Sequence, residues 1–131
     1  MANDPILPTQ VTFLACELAR NEPDGKLSLL GIFVGEQIKV TGAIVGPSVQ
    51  MPAFAAVFFM EDGEGNFDAS IEIVAPGLTT LKLPVTVEKK PNTRGVVVGQ
   101  IYGLSLTPGS VSVNLVLNSK TYEHKLEIIF G

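Results

Sequence analysis

Apolar and polar residues alternate with a period of two along much of this chain, and apolar positions at helical spacing are hard to find. Residues 67–73, 81–87 and 111–117 place apolar side chains at odd-numbered positions, and residues 122–130 place them at even-numbered positions. Alternation of this kind is typical of strands that are buried on one face. It predicts the following core residues: Phe67, Ala69, Ile71, Ile73, Leu81, Leu83, Val85, Val87, Val111, Val113, Leu115, Leu117, Tyr122, Leu126, Ile128 and Phe130.

Turn-forming residues separate these runs at regular intervals, as expected when short strands are joined by tight connections. The pattern predicts an all-β fold, a two-sheet antiparallel β-sandwich of about seven to nine strands, immunoglobulin-like or a similar Greek key. We expect one domain over residues 1–131, with residues 1–10 forming an extended N-terminal arm. The turn signals are Pro23-Asp24-Gly25, Asp62-Gly63, Pro76-Gly77, Pro91-Asn92 and Pro108-Gly109.

Two features constrain individual strands. Pro84 lies on the outward face of its strand, which predicts an edge strand or a bulge because proline cannot donate to a strand ladder. The apolar residues of the C-terminal hairpin share one face only if the loop has an even length. Either Asn118-Ser119 or Ser119-Lys120 satisfies this condition, so two registers that differ by two residues remain open.

Three further segments, residues 11–19, 27–33 and 54–60, are apolar on both faces. One face of an antiparallel sandwich is usually polar, so the second face needs a cover: residues 41–52, the N-terminal arm or another subunit. Because contiguous exposed apolar surface marks interaction sites, we predict a non-enzymatic protein-interaction or assembly module. Its expected partner is a second copy in a homodimer, or another protein. The predicted interaction face comprises Leu14, Leu18, Phe54, Phe58 and Met60.

Composition excludes several classes of function. The chain has 131 residues, of which 46% are hydrophobic and 17% charged, with a net charge of −4. It lacks the basic stripe that nucleic-acid binding needs, and its longest apolar run, residues 53–60, is too short to span a membrane as a helix. The single cysteine, Cys16, permits no intramolecular disulfide, and residues 1–10 do not resemble a signal peptide. These features predict a cytoplasmic protein.

An acidic loop over residues 61–68 supports an alternative function, a small-ligand or calcium-dependent binding domain. Asp62, Glu64, Asn66 and Asp68 are weak candidate metal ligands, since calcium binds several oxygen atoms from a tight loop. The EF-hand pattern fails, because the sixth position from Asp62 is Phe67 and the twelfth is Ile73. A polar hairpin tip is the simpler interpretation, and the sequence predicts neither a bound cofactor nor a particular small-molecule ligand.

Histidine and cysteine, which often act in catalysis, each occur once in this sequence. His124 is the only histidine, and it shares a strand face with Tyr122 and Leu126, which predicts a partly buried side chain. Cys16 lies among apolar residues, where a cysteine usually behaves as a small hydrophobic group. No catalytic residue is predicted.

Residues 13–20 (FLACELAR), followed by residues 25–33 (GKLSLLGIF), resemble the opening of an uncharacterised family of short bacterial all-β proteins. The Pro108-Gly109 turn and the hairpin after it are similar to the end of that family's sequences. The closing hairpin is also similar to those of immunoglobulin-like and fibronectin-like sandwiches. The resemblance implies a sandwich and a bacterial source, and it implies no activity or functional residue.

Overall fold

The computed structural model describes residues 4–40, 48–75, 77 and 79–130. In this part of the chain nine strands form and no helix is present. The strands are β1 (Val11–Asn21), β2 (Leu27–Ile32), β3 (Gln37–Val40), β4 (Val49–Met60), β5 (Gly65–Val74), β6 (Leu81–Lys89), β7 (Gly95–Leu106), β8 (Gly109–Leu117) and β9 (Lys120–Phe130).

The strands form two sheets, which confirms the predicted two-sheet β-sandwich. One sheet has four strands in the order β2-β1-β4-β7, and the other has five in the order β3-β9-β8-β5-β6. The pairing departs from the antiparallel prediction at β3, which runs parallel to β9. A parallel pair needs a long connection rather than a hairpin, and here β3 and β9 are separated by most of the chain.

The core lies between the two sheets and is built by the alternation seen in the sequence. All sixteen predicted core residues belong to it, either fully buried or packed against buried neighbours. The four-stranded sheet supplies the opposite side of this core through Phe54, Ala56, Phe58 and Met60, each of which is at most 1% exposed. Alternate residues of β4 therefore point between the sheets.

Pro84 and the C-terminal hairpin lie where the sequence places them. β6 is the last strand of its sheet, and its register with β5 runs without a bulge past Pro84. In the hairpin, Leu117 pairs with Lys120 and Leu115 with Tyr122, so the loop is Asn118-Ser119. Asn118 lies in the left-handed region with a φ of 55°, a conformation that asparagine tolerates better than most residues.

Within the described residues, neither residues 48–52 nor the N-terminal arm covers the second apolar face. Residues 41–47 lie outside the described residues, while residues 49–52 form the start of β4 itself. The N-terminal arm closes one end of the sandwich: Ile6 pairs with Glu64, and the hydroxyl of Tyr122 donates to the carbonyl of Pro8 over 2.6 Å. The arm residues in these contacts therefore lie at the end of the sandwich and not on the outer face of the four-stranded sheet.

Candidate interaction face

The outer side of the four-stranded sheet carries a second apolar cluster, separate from the core. The strand register shows which side chains share this side, because directly paired residues lie on the same face of a sheet. Cys16 pairs with both Ile32 and Ala55, and Val57 pairs with Val98. Together with the side chains packed against Cys16, Ala55 and Val57, these pairs define the outer apolar face as Leu14, Cys16, Ala19, Leu27, Leu29, Ile32, Ala55, Val57, Phe59, Val96 and Val98.

Exposure within the outer apolar face rises from its centre to its edge. Cys16, Ala55 and Val57 are 0% exposed, whereas Val96 and Ile32 are 43% and 50% exposed. The half-buried neighbours of the central residues cover them within one chain. Toward the edges of the sheet, the described residues leave the large aliphatic groups of Ile32 and Val96 in contact with water.

The outer side of the five-stranded sheet is polar, as an antiparallel sandwich normally requires. Glu72 on β5 forms an ion pair with Lys82 on β6 at 3.4 Å, and Glu123 pairs with Lys125 along β9 at 3.8 Å. Exposed ion pairs of this kind add little stability, but they keep a sheet surface hydrated. The two outer surfaces of the sandwich therefore have opposite character.

Charged residues border the outer apolar face on one side. The guanidinium of Arg94 lies 4.5 Å from the centre of the Phe59 ring, and its Nε donates to Glu61 over 2.8 Å. The cation stacks on the ring face, where the aromatic quadrupole attracts positive charge. The border thus offers a fixed cation beside an apolar surface.

Gln100 joins three strands across the outer side of the sheet. β1 pairs with β4 only as far as Cys16 and Ala55, and the Gln100 side chain bridges the strands beyond that point. Its Oε1 accepts from the Ala19 amide at 3.0 Å, and its Nε2 donates to the carbonyls of Glu17 at 2.9 Å and Phe54 at 3.2 Å. The side-chain amide therefore replaces backbone partners that β1 would otherwise lack.

The predicted interaction residues divide between the two sides of the sheet. Leu14 lies on the outer apolar face, whereas Leu18, which is 38% exposed, does not, because the neighbouring Ala19 packs against the outer cluster. The prediction for Phe54, Phe58 and Met60 is wrong in placement, because all three are buried between the sheets. The register gives the reason: Leu14 pairs with Val57, so the neighbouring Phe58 points to the opposite side.

Leu30, Ile32 and Val96 were missed as surface residues. The double-faced apolar pattern marked residues 27–33, but pattern alone cannot show which face of a strand meets water. Val96 lies in a run of three valines, and such a run is typical of a buried strand when the neighbouring strands are unknown. The strand order supplies the missing information, because β2 and β7 are the two edges of this sheet.

The acidic loop is engaged within the chain. The carboxylate of Asp62 accepts from the amides of Thr9 at 2.9 Å and Gln10 at 3.4 Å, and also from the Thr9 hydroxyl. The Thr9 hydroxyl bond is the main reason that the pKa of Asp62 is lowered. Asp62 therefore anchors the segment that leads into β1.

The other candidate metal ligands do not gather around Asp62. Glu64 pairs with Ile6 through its backbone, while Asn66 and Asp68 lie on the exposed side of β5. Among the described residues, no group of three or more His, Cys, Asp or Glu side chains could hold a metal ion. The geometry gives the calcium alternative no specific support.

Cys16 is fully buried, and His124 is half-buried against aromatic rings. The His124 ring stacks on Phe13 with centroids 5.3 Å apart and lies 5.8 Å from Phe58. Burial lowers the pKa of His124, and the carboxylate of Glu36 opposes this shift. Burial also raises the pKa of the Cys16 thiol, with a further contribution from Glu17, so the thiol is held in its unreactive protonated form.

In comparisons with known proteins, no family model matches this chain and no curated protein matches it. The described residues contain no helix that is long and apolar enough to cross a membrane.

Proposed function

We propose that this protein is a non-enzymatic interaction module whose outer apolar face docks another protein chain. The observation that carries the proposal is the exposure of Ile32 and Val96 at the two edges of a sheet face whose centre is also apolar. Isolated exposed aliphatic residues are common on proteins, whereas contiguous ones mark binding surfaces. The polar outer side of the other sheet supplies the contrast within the same molecule.

The residues toward the edge of the face set the scale of the binding energy. Ile32 and Val96 are 50% and 43% exposed, so completing their burial contributes about 1 kcal/mol each. A total of about 2 kcal/mol is less than the roughly 4 kcal/mol that corresponds to millimolar affinity. Tighter binding therefore requires polar contacts at the border, where Arg94 presents its guanidinium beside Phe59.

The residues that most often carry catalysis are occupied by structural roles, which supports a binding function. His124 packs against the rings of Phe13 and Phe58, Asp62 holds the N-terminal segment, and Cys16 is completely buried. We place the module in the cytoplasm of a bacterial cell, in line with its single cysteine and with the sequence resemblance.

The native mass of the protein in an extract of its source cells tests the proposal. Tagged wild-type protein should elute at a higher mass than the purified protein alone, because its partner remains docked. The double variant Leu30→Glu/Ile32→Glu should elute at the mass of the purified protein, since the charge at position 32 cannot be buried against an apolar partner without compensation.

Val34→Glu is the matched control, because Val34 is an exposed aliphatic residue, at 84%, that lies beyond the end of β2. This variant should behave as the wild type does. If the wild-type protein elutes at the mass of the purified protein, or if the double variant keeps the larger mass, the outer apolar face is not the docking surface.

A further inference from the structure

The sandwich has four edge strands, and three of them carry features that discourage pairing with another chain. β6 contains Pro84 together with charged residues, and β3 has only four residues, including Lys39. β2 has six residues, with Gly31 in the left-handed region at a φ of 69°. Prolines, charges, short length and local distortion are the usual protections of a free edge.

β7 lacks these protections over residues 95–102. The strand is twelve residues long, from Gly95 to Leu106, and contains neither a charged residue nor a proline, and its local distortion is confined to Gly103, with a φ of 74°. Among the described residues it pairs with β4 alone. Two open clefts of about 380 and 340 Å³ flank its free edge, one beside Val96 and the other beside Tyr102, so the described chain does not cover this edge.

We propose that the free edge of β7 pairs antiparallel with β7 of a second copy, which joins two four-stranded sheets into one of eight strands. Antiparallel pairing of two identical strands has two-fold symmetry, so the same strand edge of each copy forms the interface. The absence of charge along β7 means that self-pairing brings no like charges together. The inference does not depend on the proposed function, because it concerns the edge of the sheet and not its outer face.

Side-chain alternation fixes where the two-fold axis can lie. Val97 and Ile101 point toward the core, whereas Val96, Val98 and Tyr102 share the outer side. Paired residues must lie on the same face of a continuous sheet, so the axis passes through a residue and not between two residues. The alternation holds only as far as Gly103, whose φ of 74° reverses it and returns Leu104 to the core.

An axis through Gly99 pairs the whole regular stretch of the edge. Val96 then lies opposite Tyr102 of the second copy, and Val97 lies opposite Ile101. Tyr102 is 70% exposed and Val96 is 43% exposed, and a cross-strand pair of an aromatic and a β-branched residue is favourable. Gly99 has no side chain at the axis, which allows the two backbones to approach closely.

A charge-swap experiment tests both the dimer and its register, with mass measured by light scattering across a concentration series. Val96→Glu/Tyr102→Glu places like charges opposite each other twice in the dimer, whereas Val96→Glu/Tyr102→Lys places opposite charges there. Positions 96 and 102 are about 20 Å apart along one strand, so neither variant creates a pair within one chain. Both positions are exposed, and circular dichroism confirms the fold of each variant.

The wild type and the Glu/Lys variant should have twice the chain mass of 13.9 kDa. The Glu/Glu variant should dissociate at concentrations at least about tenfold higher than the wild type does, because like charges across strands repel. A wild type that stays at 13.9 kDa at every concentration, or a Glu/Glu variant as dimeric as the wild type, overturns the pairing. A Glu/Lys variant that dissociates like the Glu/Glu variant overturns the register through Gly99.

The double variant Leu30→Glu/Ile32→Glu separates this inference from the proposed function. These residues lie on β2, at the opposite edge of the sheet from β7. The purified double variant should keep the wild-type dimer mass even where it loses the larger complex in the cell extract. Loss of the purified dimer in this variant would assign self-association to the outer apolar face and overturn pairing through β7.

Discussion

Replacing Gln100 with alanine should destabilise the protein more than its position near the surface suggests. The side chain makes three hydrogen bonds to backbone groups of β1 and β4, and two of them are partly buried. A buried donor or acceptor that loses its partner costs about 1–3 kcal/mol, whereas a group that water can reach costs much less. The expected loss is about 3 kcal/mol, a large share of the 5–15 kcal/mol typical of a domain.

Urea unfolding measures this loss directly. With a denaturant slope of about 1.5 kcal/mol/M, a loss of about 3 kcal/mol lowers the midpoint by about 2 M and leaves the slope unchanged. Amide exchange at Ala19 should also accelerate, because this amide donates to Gln100. Gln50→Ala is the control, since Gln50 is an exposed glutamine on the same sheet. A Gln100→Ala loss below about 0.5 kcal/mol, with Ala19 exchange unchanged, would refute the bridging role.

Three further predictions test other parts of the structure. Phe58→Ala should lower the free energy of unfolding by about 3–5 kcal/mol because it opens a cavity in the core. Leu30→Ala should change it by about 0.5 kcal/mol or less, because Leu30 is exposed. Equal urea midpoints for the two variants would contradict this assignment of buried and exposed residues. Gly63→Ala should release the N-terminal arm, because an added Cβ would lie 2.8 Å from the Ile6 carbonyl oxygen, and unchanged exchange of the Ile6 amide would count against this. His124 has a lowered pKa in the folded state, so the unfolded state takes up a proton first and stability should fall as the pH drops below about 6.5. His124→Phe should remove this fall from a plot of urea midpoint against pH. An unaltered plot would contradict the prediction.

The sequence was most informative where the pattern is local. Alternation alone identified the core faces of β5, β6, β8 and β9, because the alternating positions of each strand have different polarity. Pro84 marked the edge position of β6 because its missing amide hydrogen is a constraint on a single residue. The two-residue loop followed from side-chain parity, although parity left two registers open.

The sequence was least informative where both faces of a strand are apolar. For β4, local pattern cannot tell the core side from the outer side, and the predicted interaction face therefore combined Leu14 with Phe58, which point in opposite directions. The distinction depends on the register with β1, a pairing between residues 39 to 49 positions apart in sequence. Gln100 was missed for a similar reason, since its partners lie on two other strands.

Site-specific photo-crosslinking from position 32 in living source cells tests the central claim most directly. The account predicts a discrete adduct to another protein when the photoreactive residue replaces Ile32, because that side chain is exposed at the edge of the outer apolar face. The same residue at position 34, beyond the end of β2, should give no such adduct. Equal crosslinking from both positions, or none from position 32 in a folded protein, would contradict the proposal that the outer apolar face docks a partner.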